Sequence, residues 1–237
     1  AEGTWWRRGG CSLTPPHTDL CTAPGAAQGL GGTVFDFEWY DGALWNGYSA
    51  DTTVGGLEKA SVEPIADRGV VGRAVLLDMA KFRGKENLDK AETFTHHDLL
   101  ACAEAQGVTI EKRDILVIRT NFLKLFFDQG EAFYEGFCEP GLIYSPELVQ
   151  WFQDMEIPNL VTDTIANEVT TDPENGVALV LHNALMRNLG VLFTEICDLE
   201  KLAADCAADG QYTLLYVAAP LKVAKASGSP VNPVAIK

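Results

Sequence analysis

His182 and Glu195 are the residues of this chain whose types and spacing are best suited to chemistry. They stand thirteen positions apart. The pattern predicts His182 at the start of a helix over residues 182–190 and Glu195 at the end of a strand over residues 191–195. An imidazole and a carboxylate placed in this way can converge on one divalent cation, because each offers a lone pair. Taken alone, a single histidine before an apolar helix is more often a hydrogen-bonded core residue.

Runs of apolar, β-branched residues alternate with helical segments, and these elements would position the pair. Thr95 with Asp98 three residues later predicts a capped helix start, and Gly107 predicts its end. Pro146 directly after Ser145 predicts the start of another helix. Strands that alternate with helices indicate an α/β fold, so we expect a mixed β-sheet core with surrounding helices. The predicted strands cover residues 69–78, 114–120, 159–163, 191–195 and 212–219.

Residues 1–33 differ from the rest of the chain. They are rich in Gly, Pro, Ala, Thr and Cys and show neither helical nor strand periodicity. We interpret them as an irregular N-terminal segment that precedes a single domain over residues 34–237. The chain starts at Ala1 rather than at Met, which leaves open that a presequence has been removed.

The overall charge limits the classes of partner. With 18 basic and 33 acidic residues among 237, the formal net charge is −15. Such a surface repels phosphate backbones and anionic headgroups, which argues against nucleic acid and membrane as partners. The six cysteines show no zinc-site spacing, and no apolar run reaches membrane-spanning length. We therefore expect a cytoplasmic protein that acts on a small molecule.

The last third of the chain carries a family resemblance in four segments: Asp163-Thr164-Ile165-Ala166-Asn167-Glu168, His182-Asn183-Ala184-Leu185-Met186, Thr194-Glu195 and Gly228-Ser229-Pro230-Val231-Asn232-Pro233. Its order and spacing resemble the putative cyclase family, metal-dependent hydrolases that include bacterial kynurenine formamidase and isatin hydrolase, and the similarity extends over residues 40–237. The resemblance implies a swivelling β/α fold, a divalent metal such as Zn or Mn, and a homodimer or homotetramer. It also implies hydrolysis of a small cyclic or aryl amide, imide or lactone.

In that family, a His and a Glu about a dozen residues apart complete a metal centre begun by an upstream His-x-Gly-Thr-His-x-Asp-x-x-x-His motif. Residues 32–36 read Gly-Thr-Val-Phe-Asp and match the Gly, Thr and Asp of this motif. Asp36 is therefore a candidate metal ligand and catalytic residue, together with His182 and Glu195. An exposed turn aspartate is an equally good interpretation of Asp36. His17, in a Pro-rich stretch, is another histidine that could supply a missing ligand.

Every histidine of the upstream motif is replaced. The two metal-binding histidines fall on Leu30 and Val34, and the last one, the general acid/base, falls on Tyr40. If the alignment runs without a gap from residue 40, the motif aspartate falls on Thr33 and the last histidine on Phe37. Neither register restores a histidine, so the metal site is degenerate.

Several residues could form a substrate pocket. Asp163 and Glu168 follow a predicted strand, and a carboxylate at the carboxyl end of a strand often faces a ligand crevice in α/β sheets. Capping of the following turn is an equally good role. Trp39, Tyr40 and Trp45 could line an aromatic substrate pocket, although such side chains also anchor cores and dimer interfaces.

Three functions of different classes stay open. The first is a metal-dependent hydrolase with a reduced or rebuilt metal site. The second is a metal-free cyclase or dehydratase in which Asp36, His182 and Glu195 do acid–base work. The third is a relative without catalytic activity that binds a ligand or a partner. Metal content separates the first from the other two, and turnover separates the second from the third.

Overall fold

The structure, a computed structural model, describes residues 32–34, 43–53 and 55–237. The predicted division at residue 34 stays a prediction, although Gly32 and Thr33 at that boundary belong to a strand. The strands are β1 (Gly32–Val34), β2 (Val70–Asp78), β3 (Thr93–Phe94), β4 (Ile115–Arg119), β5 (Gly141–Leu142), β6 (Asn159–Thr162), β7 (Leu192–Thr194), β8 (Thr213–Ala218), β9 (Gly228–Pro230) and β10 (Val234–Ile236). The α-helices are α1 (Glu63–Arg68), α2 (Met79–Phe82), α3 (His96–Ala105), α4 (Phe122–Gln129), α5 (Pro146–Asp154) and α6 (Glu200–Asp209).

Eight of these strands form one mixed sheet in the order β10-β8-β2-β4-β6-β7-β1-β9. The four central strands β2, β4, β6 and β7 are parallel to one another. The outer strands pair antiparallel, with β8 and β10 beyond β2, and β1 and β9 beyond β7. The expected α/β fold with a mixed sheet and surrounding helices is thus confirmed. Because β4, β6 and β7 are parallel, the residues that follow them lie at the same edge of the sheet.

Apolar side chains cover both faces of the central strands, which explains their continuous hydrophobic runs. Along β2, Val75 and Leu77 are fully buried and pack with α3 and α5. Leu76, between them, points to the opposite face and packs with α6. This alternation follows the two-residue period of a strand. No helix in the described part of the chain is long and apolar enough to cross a membrane.

The predicted helix starts agree with the structure. Thr95 and Asp98 form a reciprocal capping box at the start of α3, and the Ser145 side chain accepts the backbone N–H of Leu148 before α5. Of the two histidines in the first turn of α3, His97 is exposed and His96 is not. This residue is buried, and its ring stacks on that of Trp151, with centroids 5.7 Å apart.

Candidate active site

Polar residues gather where three parallel strands end. Thr120 follows β4, Asp163 follows β6 and Glu195 follows β7. All three are buried, with exposed fractions of 1%, 3% and 7%. Buried polar side chains at this edge of a parallel sheet are typical of an active site.

His182 begins a π-helical segment, His182–Arg187, and lies beside this edge. Its Nδ1 atom is 2.6 Å from Oε1 of Glu168. The Glu168 carboxylate also accepts the backbone N–H groups of Leu181, at 2.7 Å, and of His182, at 2.9 Å. Because the carboxylate acts as acceptor in each contact, Nδ1 carries the proton and the orientation of the ring is fixed.

The other ring nitrogen of His182 faces Glu195, with 3.7 Å between Nε2 and Oε1. Burial lowers the pKa of His182, but the contacts with Glu168 and Glu195 outweigh burial and raise the pKa to about 10. Without a metal ion the imidazole is therefore protonated at neutral pH and lies between two carboxylates. The predicted pair is thus brought together, with Glu168 as a third member.

Asp163 connects the ends of β4 and β6. Its Oδ1 atom accepts the backbone N–H of Thr120 at 2.9 Å and the hydroxyl of the same residue at 2.7 Å. Its Oδ2 atom is buried and has no hydrogen-bond partner among the described residues. Burial raises the pKa of Asp163 to about 6 despite these hydrogen bonds.

The turn over residues 163–168 carries Glu168 and is held by Glu139. Both carboxylate oxygens of Glu139 accept the backbone N–H of Ile165, and one also accepts that of Ala166. Burial raises the pKa of Glu139 to about 7 against these bonds, and the negative charges of Glu195 and Asp163 act in the same direction as burial. Glu139 therefore lies close to the two strand-end carboxylates.

Gly141 allows the backbone of Glu168 to approach closely. A Cβ atom at position 141 would lie 2.3 Å from the carbonyl carbon of Glu168. Leu142, the next residue, forms a parallel bridge with Glu168, and its carbonyl accepts the N–H of Val169 at 3.1 Å. Only glycine fits at position 141 without moving Glu168.

Of the aromatic residues expected in a substrate pocket, the structure describes only Trp45. Asp36, Trp39 and Tyr40 lie outside the described residues, so their predicted roles stay predictions. Trp45 packs against Gly190, where an added Cβ would lie 2.4 Å from its Nε1 atom. Gly190 lies three residues beyond the helical segment that His182 begins.

The described residues fit half of a divalent-metal site. An Nε2 nitrogen and a carboxylate oxygen are suitable ligands, and metal-binding histidines commonly donate their other N–H to a carboxylate, as His182 does to Glu168. However, no group of three or more His, Cys, Asp or Glu residues within the described ranges is arranged to hold a metal ion. A third ligand would have to come from elsewhere, with Asp36 as the candidate from the sequence.

Sequence reasoning missed Glu139 and Gly141. Both stand in Glu139-Pro140-Gly141, where Pro-Gly indicates a turn and gives no sign of a site. Glu168 was expected at a pocket or in a turn, but its contact with His182 was not anticipated. A glutamate in an otherwise apolar stretch next to Pro-Gly was the available signal for Glu139.

Comparisons with known proteins point to one family. A family model described as Putative cyclase matches residues 42–169, more than half of the chain. A crystal structure described as a novel cyclase is 32% identical, with a TM-score of 0.77, and the alignment covers 87% of this chain and 68% of that one. A search of curated proteins gave no significant match.

Two isatin hydrolases share the fold. Isatin hydrolase A from Labrenzia aggregata, bound to benzyl benzoate, is 22% identical, with a TM-score of 0.55 and coverage of 86% of this chain and 71% of that one. Isatin hydrolase A from Ralstonia solanacearum is 23% identical, with a TM-score of 0.55 and coverage of 75% and 64%. The family model and the 32% identical cyclase together show that this chain belongs to the putative cyclase family.

Proposed function

We propose that this chain hydrolyses a small cyclic or aryl amide, imide or lactone at the centre formed by His182 and Glu195. The observation that carries the proposal is the buried imidazole of His182, fixed by Glu168 at 2.6 Å and facing Glu195 at 3.7 Å. The fold shared with two proteins named isatin hydrolase supports the substrate class, because isatin is a cyclic amide.

His182 and Glu195 would hold a divalent ion, Zn or Mn, with Asp36 as the proposed third ligand. The ion, when bound, supplies Lewis acidity toward the carbonyl oxygen of the substrate. Glu168 keeps the proton of His182 on Nδ1, so that Nε2 is the nitrogen presented to the site. One oxygen of the Glu195 carboxylate would bind the ion, and the other would take a proton from the attacking water and return it to the leaving nitrogen or oxygen.

A metal-free cyclase or dehydratase is the second candidate. It is favoured by the pKa of His182, raised to about 10 by Glu168 and Glu195 against the effect of burial. It is favoured also by Leu30 and Val34, which stand where the family has metal-binding histidines. In this function, the His182 imidazolium would donate a proton and Glu195 would accept one.

Metal content and turnover test these functions together. We expect near-stoichiometric Zn or Mn by elemental mass spectrometry in the parent protein, and loss of the metal in His182→Ala and Glu195→Gln. His97→Ala, which removes an exposed histidine, should keep both metal and activity. Hydrolysis of isatin, an aryl formamide or a cyclic imide should follow the metal content.

Other outcomes would favour the alternatives. Turnover that is independent of added metal, with a bell-shaped pH profile lost in His182→Ala, would support the metal-free enzyme. Tight binding of such compounds without turnover in the parent would support a relative without catalytic activity. Metal-free parent protein that stays inactive after Zn and Mn are added would overturn the metallohydrolase.

We propose that the chain forms a homodimer or homotetramer. At one edge of the sheet, apolar side chains of β2, β8 and β10 are exposed: Val71 by 62%, Leu215 by 43%, Val234 by 50% and Ile236 by 51%. Contiguous exposed apolar surface often marks an interface between proteins. Light scattering after size exclusion tests this, and a monomer at micromolar concentration would contradict it.

A further inference from the structure

We infer that Glu139 is a positioning residue for His182, acting through the turn over residues 163–168 and through Glu168. The inference rests on the proposed function only in treating the surroundings of His182 as the active site. The positioning itself is a property of the folded protein, and it can be measured without a substrate or a metal ion.

The first step is the set of hydrogen bonds by which Glu139 fixes the turn. Its Oε1 atom lies 2.8 Å from the backbone nitrogen of Ile165, and its Oε2 atom lies 3.0 Å from the same nitrogen and 2.9 Å from that of Ala166. The residue is 2% exposed. These hydrogen bonds are strongest when the carboxylate is ionised, because bonds to an ionised acceptor are about twice as strong as those between neutral groups. A single side chain thus satisfies two consecutive backbone donors of the turn.

The second step is the attachment of residues 139–142 to the chain just after the turn. The backbone N–H of Glu139 donates to Oγ1 of Thr170 at 2.9 Å. The N–H of Val169 donates to the carbonyl of Leu142 at 3.1 Å. Residues 139–142 therefore bind the chain on both sides of Glu168, and Gly141 leaves room for its backbone.

The third step leads from Glu168 to the ring. The Glu168 carboxylate contacts Nδ1 of His182 at 2.6 Å and accepts two backbone N–H groups at the start of the helical segment. A displaced turn would move this carboxylate, and the imidazole would lose the partner that fixes its orientation. Distances of this kind must be held to within about 0.5 Å in a working site.

The environment of Glu139 is otherwise unfavourable for a carboxylate. It is buried near Asp163 and Glu195, and burial with the repulsion from these charges raises its pKa. An apolar residue at position 139 would avoid this cost but would leave the N–H groups of Ile165 and of the buried Ala166 without their acceptor. Holding the turn explains why a carboxylate is kept there.

Hydrogen exchange and NMR of the metal-free protein test the inference. In Glu139→Ala, we expect amide exchange at Ile165 and Ala166 to be at least about tenfold faster, since a hydrogen bond to a charged group is lost. The chemical shift of the His182 Nδ1–H proton should move away from the value that it has when hydrogen-bonded to Glu168. Glu135→Ala, an exposed glutamate in the same loop, should change neither readout.

Glu139→Gln keeps the shape and one acceptor oxygen, so it serves if the alanine variant does not fold. We expect it to increase exchange at Ile165 or Ala166 several-fold, less than alanine does. Unchanged exchange and an unchanged His182 resonance in either folded variant would overturn the inference. A parent protein without hydrolase activity would refute the proposed function but leave these readouts interpretable.

Discussion

His182 is fixed to Glu168 by a 2.6 Å contact between Nδ1 and Oε1, across fourteen residues of sequence. Glu168 is itself held by the backbone N–H groups of Leu181 and His182. The carboxylate and the imidazole thus orient each other, and the ring presents Nε2 toward Glu195. This pair is the feature from which the behaviour of the site can be predicted.

Replacing Glu168 by Gln should weaken the site without unfolding the protein. We expect metal affinity and hydrolysis to fall by about 10- to 100-fold, because the carboxylate that orients the ligand histidine and raises its basicity is lost. Competition with a chelator measures the affinity. Glu174→Gln, at an exposed nearby position, is the control. Equal affinities in the two variants would show that Glu168 does not support the ligand.

The stability of the metal-free protein should depend on the protonation of His182. The pKa of this residue is raised to about 10 by Glu168 and Glu195 against burial, so its stabilising contribution is full below pH 6.5 and is lost as the pH rises toward 10. Relative to His182→Asn, the parent should lose on the order of a few kcal/mol over this interval. Urea unfolding in the presence of a chelator provides the measurement. If the unfolding free energies of the parent and of His182→Asn changed with pH in parallel, the expectation would be contradicted.

Glu139 should make stability depend on pH in the same direction as His182 does, but at lower pH. Burial raises the pKa of this carboxyl to about 7, so the folded state favours the protonated form, and this advantage is lost as the pH rises from 4.5 to 7. Relative to Glu139→Gln, the parent should lose on the order of 3 kcal/mol of unfolding free energy across that interval. Glu135→Gln, which changes an exposed carboxylate, should follow the parent. A constant difference between parent and Glu139→Gln would refute the prediction.

A methyl group at position 141 should disturb the site directly. In Gly141→Ala, the new Cβ would meet the backbone of Glu168 at 2.3 Å, and we expect a loss of about 1–3 kcal/mol of stability from overpacking. Gly136→Ala is the control for added volume, because no neighbour lies within 4 Å of the added Cβ; its φ of +59° adds a backbone strain that position 141 does not have. It should lose about 1 kcal/mol from backbone strain alone. A loss no greater at position 141 than at position 136 would count against the close approach.

The central fold could be predicted because its signals are local. The apolar run at β2 and the capping box of Thr95 and Asp98 each identify an element without reference to the rest of the chain. The placement of β8 between β10 and β2 could not be predicted in this way. Strand order depends on long-range pairing, which leaves no periodic trace in the sequence.

The site residues could be predicted only where they stand close together in the sequence. His182 and Glu195 stand close together in the sequence, so the pair could be recognised through its resemblance to the putative cyclase family. Glu139 reaches the turn from twenty-six residues away at Ile165, and no sequence pattern joins the two. Gly141 matters because of one close backbone approach, and such an approach is set by tertiary packing alone.

The position of β8 also has a consequence for biosynthesis. Val70 of β2 pairs with Ala218 of β8, and β2 has β4 as its other neighbour. One edge of β2 therefore stays unpaired until the ribosome has made residue 218, which takes about 10 s or more at the usual rate of translation. An apolar strand with an open edge can pair with other chains during that time. Newly made protein would therefore benefit from a chaperone that binds extended apolar segments until the last third of the chain emerges.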